Sequence, residues 1–366
     1  MKQKILKIVN SKPGLLGREI AKVLCVDKRE VNSLLARDSA GLYQDKETFR
    51  WYPLPNKKHI LEFTSDSWIC ADLFEQGLSG AGCFFESDAN EYLIIFPANC
   101  QILLIAGARI IALANQCVNR GKKITLDFTL CGKTKNYLNR LGFFDHLLPS
   151  VCILPKRPAE SRAKQYQGNS ENLVEIAAID PVDLDEAIPK ALTNAFMQHA
   201  AKEYRTPIFT IFSELIGNVR DHSCSPILGF AAMQRYQYPR EHIQVVVSDS
   251  GLGILQTLKP RLNEHYPEIY KNLDFTKKET DADLLEKVFV EGQLSQFGSD
   301  PDGEARGLGL KKSQDYAARY NADITIRQRT LELKLIYRDS QLFETKRKFD
   351  MPILDGTQVC FDFYIN

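Results

Sequence analysis

Apolar residues follow helical spacing in three short runs at the start of this chain, about Lys2–Val9, Leu16–Leu24 and Asp27–Ala36. Ser11-Lys-Pro13-Gly14 stops the first, and Asp27 with Glu30 reads as a capping-box start for the third. Gly41–Tyr52 then predicts two strands around an Asp45-Lys46 turn. From residue 54 to about 155 the pattern alternates. Ile60–Phe63, Tyr92–Phe96 and Lys123–Phe128 read as strands, and Gln101–Asn119 and Lys133–Leu141 as helices, the last stopped by Gly142. The most apolar run, Ile102–Ala114, is too short to span a bilayer and contains Arg109, so it predicts a buried helix. Residues 156–172 are polar and basic and read as a linker or mobile loop.

The C-terminal half carries the chemistry. In Glu214-Leu-Ile-Gly-Asn218-Val-Arg-Asp221-His222, the positions of Glu214, Asn218 and Asp221 fall on one stripe of a helix. Ile208, Phe212, Leu215 and Val219 form the opposite, apolar face, which predicts a packed helix aiming its polar stripe at a cavity. The run Ile243-Gln-Val-Val-Val247 reads as a buried strand ending in the glycine turn Asp249-Ser-Gly251-Leu-Gly253. Gly307-Leu308-Gly309-Leu310 opens a helix predicted over Leu310–Tyr320, after glycines whose bare backbone can approach a phosphate. Leu354-Asp-Gly356-Thr357 leads into a final strand through Tyr364.

In this order and spacing, the motifs over residues 173–366 resemble the GHKL nucleotide-binding family of type II topoisomerases, MutL-type repair proteins, sensor histidine kinases and ATP-dependent chaperones. The resemblance implies ATP and Mg²⁺ as ligands. Asp249 would accept a hydrogen bond from the adenine amino group, with Thr357 assisting through its hydroxyl. Gly251 and Gly253 would leave room for base and sugar. Asn218 would bind Mg²⁺ through its amide oxygen, and Glu214, one turn earlier, would orient or deprotonate the attacking water. Asp221 and His222 would orient Asn218 or line the phosphate side. Gly307, Leu308, Gly309 and Leu310 would present backbone N–H groups to the phosphates beside Arg306, and residues 296–304 would form a lid.

Upstream, helix, helix, helix and hairpin resemble a winged helix-turn-helix over residues 1–53. That implies nucleic-acid contacts from Lys28, Arg29, Asn32 and Ser33 on the recognition helix and from Lys46 and Arg50 on the hairpin. Charge supports this: residues 1–60 carry thirteen Lys and Arg against six Asp and Glu, although the whole chain has a formal charge of only +1. Residues 54–155, with Gly121–Phe128 followed by Asn136–Asp145, resemble a STAS-like α/β module, in which Thr129 and Thr134 are conceivable phosphoacceptors but are read as structural. The expected fold is multidomain α+β: winged helix, STAS-like domain, linker, and a GHKL α/β sandwich with a mixed sheet covered by helices.

Composition changes this picture little. Hydrophobic residues make up 44% and charged residues 25% of the 366-residue chain, as in ordinary soluble proteins. Nine cysteines without a C-x-x-C pair fit a reducing cytoplasm better than a disulfide framework or zinc site. The sequence has no secretory leader pattern, no Walker-type P-loop and no Ser-His-Asp arrangement. Three functions stay open: a slow ATPase that switches a nucleic-acid-binding wing, for which the resemblance allows a homodimer although the sequence shows no dimer interface; an anti-sigma-type protein kinase acting on a STAS-like partner; and an ATP-binding regulator without turnover.

Overall fold

The computed structural model describes residues 1–37, 42–53, 57–64, 68–180, 187–222, 225–291 and 318–364, without the side chains at 37, 221, 222 and 291. Two compact units result, Met1–Lys57 and Lys58–Asn366. The first contains α1 (Lys2–Ser11), β1 (Leu15–Leu16), α2 (Gly17–Leu24), α3 (Lys28–Arg37), β2 (Leu42–Gln44) and β3 (Arg50–Pro53). Its three strands form an antiparallel sheet in the order β1-β3-β2. Ile5, Val9, Ile20, Val31, Leu35, Leu42 and Trp51 are the buried faces of these amphipathic elements and make its core. Cys25 ends α2 in the left-handed conformation, and Asp27 caps α3 by accepting from the Arg29 N–H at 2.6 Å. The reciprocal glutamate bond of a capping box occurs at α2, where Glu19 accepts from the Leu16 N–H at 2.8 Å.

The second unit opens with β4 (Lys58–Glu62), β5 (Trp68–Ile69), α4 (Ala71–Ala81), β6 (Glu91–Ile95), β7 (Gln101–Ile102), α5 (Leu104–Asn119), β8 (Lys123–Asp127), α6 (Gly132–Leu141) and β9 (Cys152–Leu154). Strands β4-β6-β8-β9 pair in chain order, all parallel, while β5 and β7 make a separate two-stranded parallel pair. Right-handed crossovers between sequential parallel strands put their helices on one face. Leu61, Ile94, Leu126 and Ile153 are buried on that side, whereas Ile60 and Leu154 are exposed.

The remainder comprises α7 (Arg162–Tyr166), β10 (Leu173–Ile179), α8 (Ala187–Phe196), α9 (Arg205–His222), β11 (Gly229–Tyr236), β12 (His242–Ser248), α10 (Ile254–Leu258), α11 (Leu262–His265), α12 (Pro267–Lys271), α13 (Glu279–Glu286), β13 (Asp323–Arg329), β14 (Leu331–Arg338), β15 (Gln341–Lys348) and β16 (Leu354–Tyr364). Seven strands form one sheet in the order β10-β11-β12-β16-β13-β14-β15. Every pair in it is antiparallel, so the mixed sheet expected from the family resemblance is not found. Part of the reason is local. Only Thr330 separates β13 from β14, and Asp339-Ser340, both at positive φ, join β14 to β15; such tight turns permit only antiparallel pairing.

Alternate residues of this sheet enter two cores. Val245, Val247, Ile324, Ile326, Phe361 and Phe363 pack with α8, α9 and α13, while Phe230, Ala232, Val246 and Cys360 pack with the helices of the parallel layer. Burial on both faces accounts for the consecutive valines Val245–Val247. Residues 54–155 and 173–366 are expected from the sequence as separate domains, but from Lys58 onward the chain forms one compact unit.

Helix α5 is the element they share. It is buried on every side from Leu104 to Cys117. At its N-terminus, the Leu104 and Ile105 N–H groups lack helical partners and donate instead to Tyr236 Oη (2.8 Å) and Gln244 Oε1 (3.0 Å) of the seven-stranded sheet. Midway, Arg109 bridges Glu75 of α4 (2.7 Å) and Glu332 of β14 (2.6 Å), and Arg327 donates to the same Glu75 at 3.0 Å. Burial opposes ionisation of Glu332, yet Arg109 and Lys348 together hold its carboxyl below the usual carboxylate range.

The polar stretch 156–172, expected as a linker or mobile loop, is instead anchored. The Arg157 guanidinium donates to the carbonyls of Phe144, Leu147, Leu148 and Val151, which supplies acceptors for otherwise open turns. Ser161 caps α7, and Ala163 is buried. No helix among the described residues is long and apolar enough to cross a membrane.

Candidate functional site

The polar stripe of α9 rises over an apolar face that is fully packed: Ile208, Ile211, Phe212, Leu215 and Val219 are buried, and Glu214 and Asn218 are half-buried. Gly229, at the start of β11, lets this helix approach the end of β12. A Cβ there would collide with the Val219 side chain and lie 2.9 Å from Ser248 O. Val219 follows Asn218 and Ser248 precedes Asp249, so this glycine contact brings the C-terminal half of α9 close to the end of the strand that leads into the aspartate turn.

Asp249 is buried, and its carboxylate is held on both oxygens. Oδ1 accepts from the Gly251 N–H (2.7 Å) and Oδ2 from the Thr357 N–H (3.2 Å). The Asp249 N–H donates to Thr357 O at 2.9 Å. Burial pushes the carboxyl up to about 6, and the bonds from Gly251 and Thr357 only partly offset this.

Gly356 makes the contact possible. Its φ is +80°, and a Cβ would collide with Asp249 O and lie 2.6 Å from Asp249 C. Gly253 is similarly constrained at φ +81°, where a Cβ would lie 2.9 Å from Gln328 Nε2 and 3.2 Å from Gly356 O. Asp249, Gly251, Gly253 and Thr357, called from separate motifs, are thus brought into one place.

Several residues here had no sequence motif. Gln328 of β13 donates to Thr357 Oγ1 (3.0 Å) and accepts from the Leu255 N–H (3.0 Å), tying the threonine to the start of α10. Gln358 donates to Asp249 O at 2.8 Å and accepts from the Ser248 hydroxyl. Gln116 of α5 reaches Ser250 and Asp355. Alternation along β13 and β16 could have flagged Gln328 and Gln358 as polar groups amid buried strands. Gln116 lies on a helix buried all round, where only its polarity marks it.

Arg306, Gly307, Leu308, Gly309 and Leu310 lie outside the described residues, as do the expected lid, most of the helix after it and the side chains of Asp221 and His222. Among the described residues no group of three or more His, Cys, Asp or Glu could hold a metal ion. Thr134 is buried and its hydroxyl donates to Cys100 O, a structural role; Thr129 is exposed, with its N–H on Asp127 Oδ1 at 2.9 Å.

In the first unit, Lys28, Arg29, Asn32, Ser33 and Lys46 are exposed. The first four lie in the opening turns of α3 on one solvent-facing stripe, because Val31 and Leu35 turn inward. Asn32 Oδ1 also lies against Gly17, where a Cβ would collide with it, so Asn32 helps pack α3 on α2. Arg50 donates to Gly14 O and lies 3.9 Å from Glu19, so its charge is partly engaged within the unit. Compared with known proteins, this chain matches no family model, no curated protein and no solved structure.

Proposed function

We propose that the second unit binds ATP with Mg²⁺ in a GHKL-type pocket and hydrolyses it slowly, and that the first is a nucleic-acid-binding winged helix whose action the nucleotide switches. The observation carrying this reading is the Asp249 carboxylate, buried at a strand end, with Gly356 letting the Thr357 segment pack directly against it. A buried carboxylate beside a hydroxyl recognises the donor face of adenine and rejects guanine, which has an acceptor at that position. The desolvation raising the Asp249 pKa is offset when a ligand donor satisfies its remaining lone pairs.

Mg²⁺, when bound, supplies charge neutralisation at the phosphates, and Asn218 is the side chain that would hold it. Glu214, one turn away on the same stripe, orients the attacking water and accepts its proton. In the first unit, helix, helix, helix and hairpin with an exposed Lys28-Arg29 start to α3 support groove or phosphate contact. Lys46 extends the positive face from the hairpin, whereas Arg50 contributes less because Gly14 O engages it.

Calorimetry with ATP and Mg²⁺, together with phosphate release, tests this proposal. Glu214→Ala should abolish turnover and leave nucleotide affinity within about threefold. No heat of binding from the folded wild-type protein would end the ATP reading. Unchanged turnover in the variant would remove Glu214 as the base.

A further inference from the structure

Gln116 lies on α5, an element outside the motifs of the proposed pocket, and is 1% exposed. Its amide is used on both atoms. Nε2 donates to Ser250 Oγ (2.9 Å) and to Asp355 O (3.0 Å), and Oε1 accepts from the Asp355 N–H (2.9 Å). Ser250 follows Asp249, and Asp355 precedes Gly356-Thr357, so one side chain ties together, through the Ser250 hydroxyl and the Asp355 backbone, the two segments that carry the base-recognition groups. Only a primary amide can donate twice and accept once in this plane. Arg120, which caps the C-terminus of α5, pairs with the Asp355 carboxylate and stacks over Phe85 with its guanidinium carbon 3.9 Å from the ring centroid. The clip is therefore anchored in the parallel layer.

We infer that Gln116 is a positioning residue of the nucleotide site: through Ser250 and Asp355 it sets the placement of Asp249 against Thr357, and with it the strength of adenine recognition. The inference rests on the proposed ATP pocket and adds a control point in the layer formed by residues 58–155. Because α5 is enclosed between that layer and the seven-stranded sheet, any shift of the helix reaches Asp249 through this amide.

The test pairs a protein change with a ligand change, using the full chain. Affinities of wild type, Gln116→Ala and Gln116→Glu are measured for ATP and for the purine riboside triphosphate lacking the 6-amino group. In the wild type the missing amino group should cost about tenfold or more. In Gln116→Ala that ratio should fall to about one to three, because Asp249 no longer meets the amino group squarely. Gln116→Glu keeps the acceptor for Asp355 N–H but loses both donations, and should fall between the two. A merely structural role would lower both affinities together and preserve the ratio, which would overturn the inference alone. A wild type that binds neither ligand, or binds both equally, would instead reject the pocket reading on which it rests.

Discussion

Replacing Asp249 with Asn should change how stability depends on pH more than it changes stability at any one pH. The folded carboxyl titrates near 6 against an ordinary 3.8, because burial penalises its charge. A carboxyl raised in the folded state contributes stability that is fully present below the unfolded value and is lost as pH rises through the folded one. The window is therefore about pH 4 to 6, and a shift of about two units corresponds to about 3 kcal/mol. Asn cannot titrate, so that loss disappears in the variant. The substitution has its own cost. The carboxylate accepts from both Gly251 N–H and Thr357 N–H, and an amide offers only one oxygen, leaving a donor facing a donor at about 1–3 kcal/mol. At neutral pH these effects nearly cancel. Urea denaturation of wild type and Asp249→Asn across about pH 4 to 7 isolates the group, because other titrations are common to both. The wild type should lose about 3 kcal/mol relative to the variant across the window. Parallel curves would refute the claim that desolvation at Asp249 opposes its charge in the folded state.

Arg109→Ala should cost the second unit about 3–5 kcal/mol in denaturant titrations, because it leaves the buried carboxylates of Glu75 and Glu332 without the cation between them. Gly356→Ala should destabilise by about 1–2 kcal/mol from its positive φ alone, with the collision at Asp249 adding to that in thermal melts. If the first unit binds duplex nucleic acid through α3, Lys28→Ala and Arg29→Ala should each lower the log–log salt slope of binding by about one, measured by fluorescence anisotropy. An unchanged slope would place both side chains away from the phosphates.

Local patterns in the sequence carry most of the elements. The three helices and hairpin of the first unit, the α5 run, the Gly142 stop, the α9 stripe and the β12 and β16 strands all follow from periodicity and turn residues, since each depends on neighbours within a few positions. The capping glutamate is a near miss of the same kind: Asp27 caps α3, while the reciprocal bond is made by Glu19 one helix earlier. Less legible was everything that depends on partners beyond the same element. Residues 156–172 look like a linker because they are polar, yet Arg157 spends its donors on four carbonyls of the preceding turn.

Sequence alone determined that Glu214 and Asn218 share a helical face, that a strand delivers Asp249 to a glycine turn, and that the basic charge gathers in the first sixty residues. These are properties of spacing and composition, fixed before the chain folds. Only the tertiary structure decided that α5 lies between two sheets, that the seven-stranded sheet is antiparallel throughout, and that Gln116, Gln328 and Gln358 brace the Asp249 turn. A buried amide is placed by whichever unpaired groups it meets, and those come from segments up to 239 positions away. No local rule contains that information.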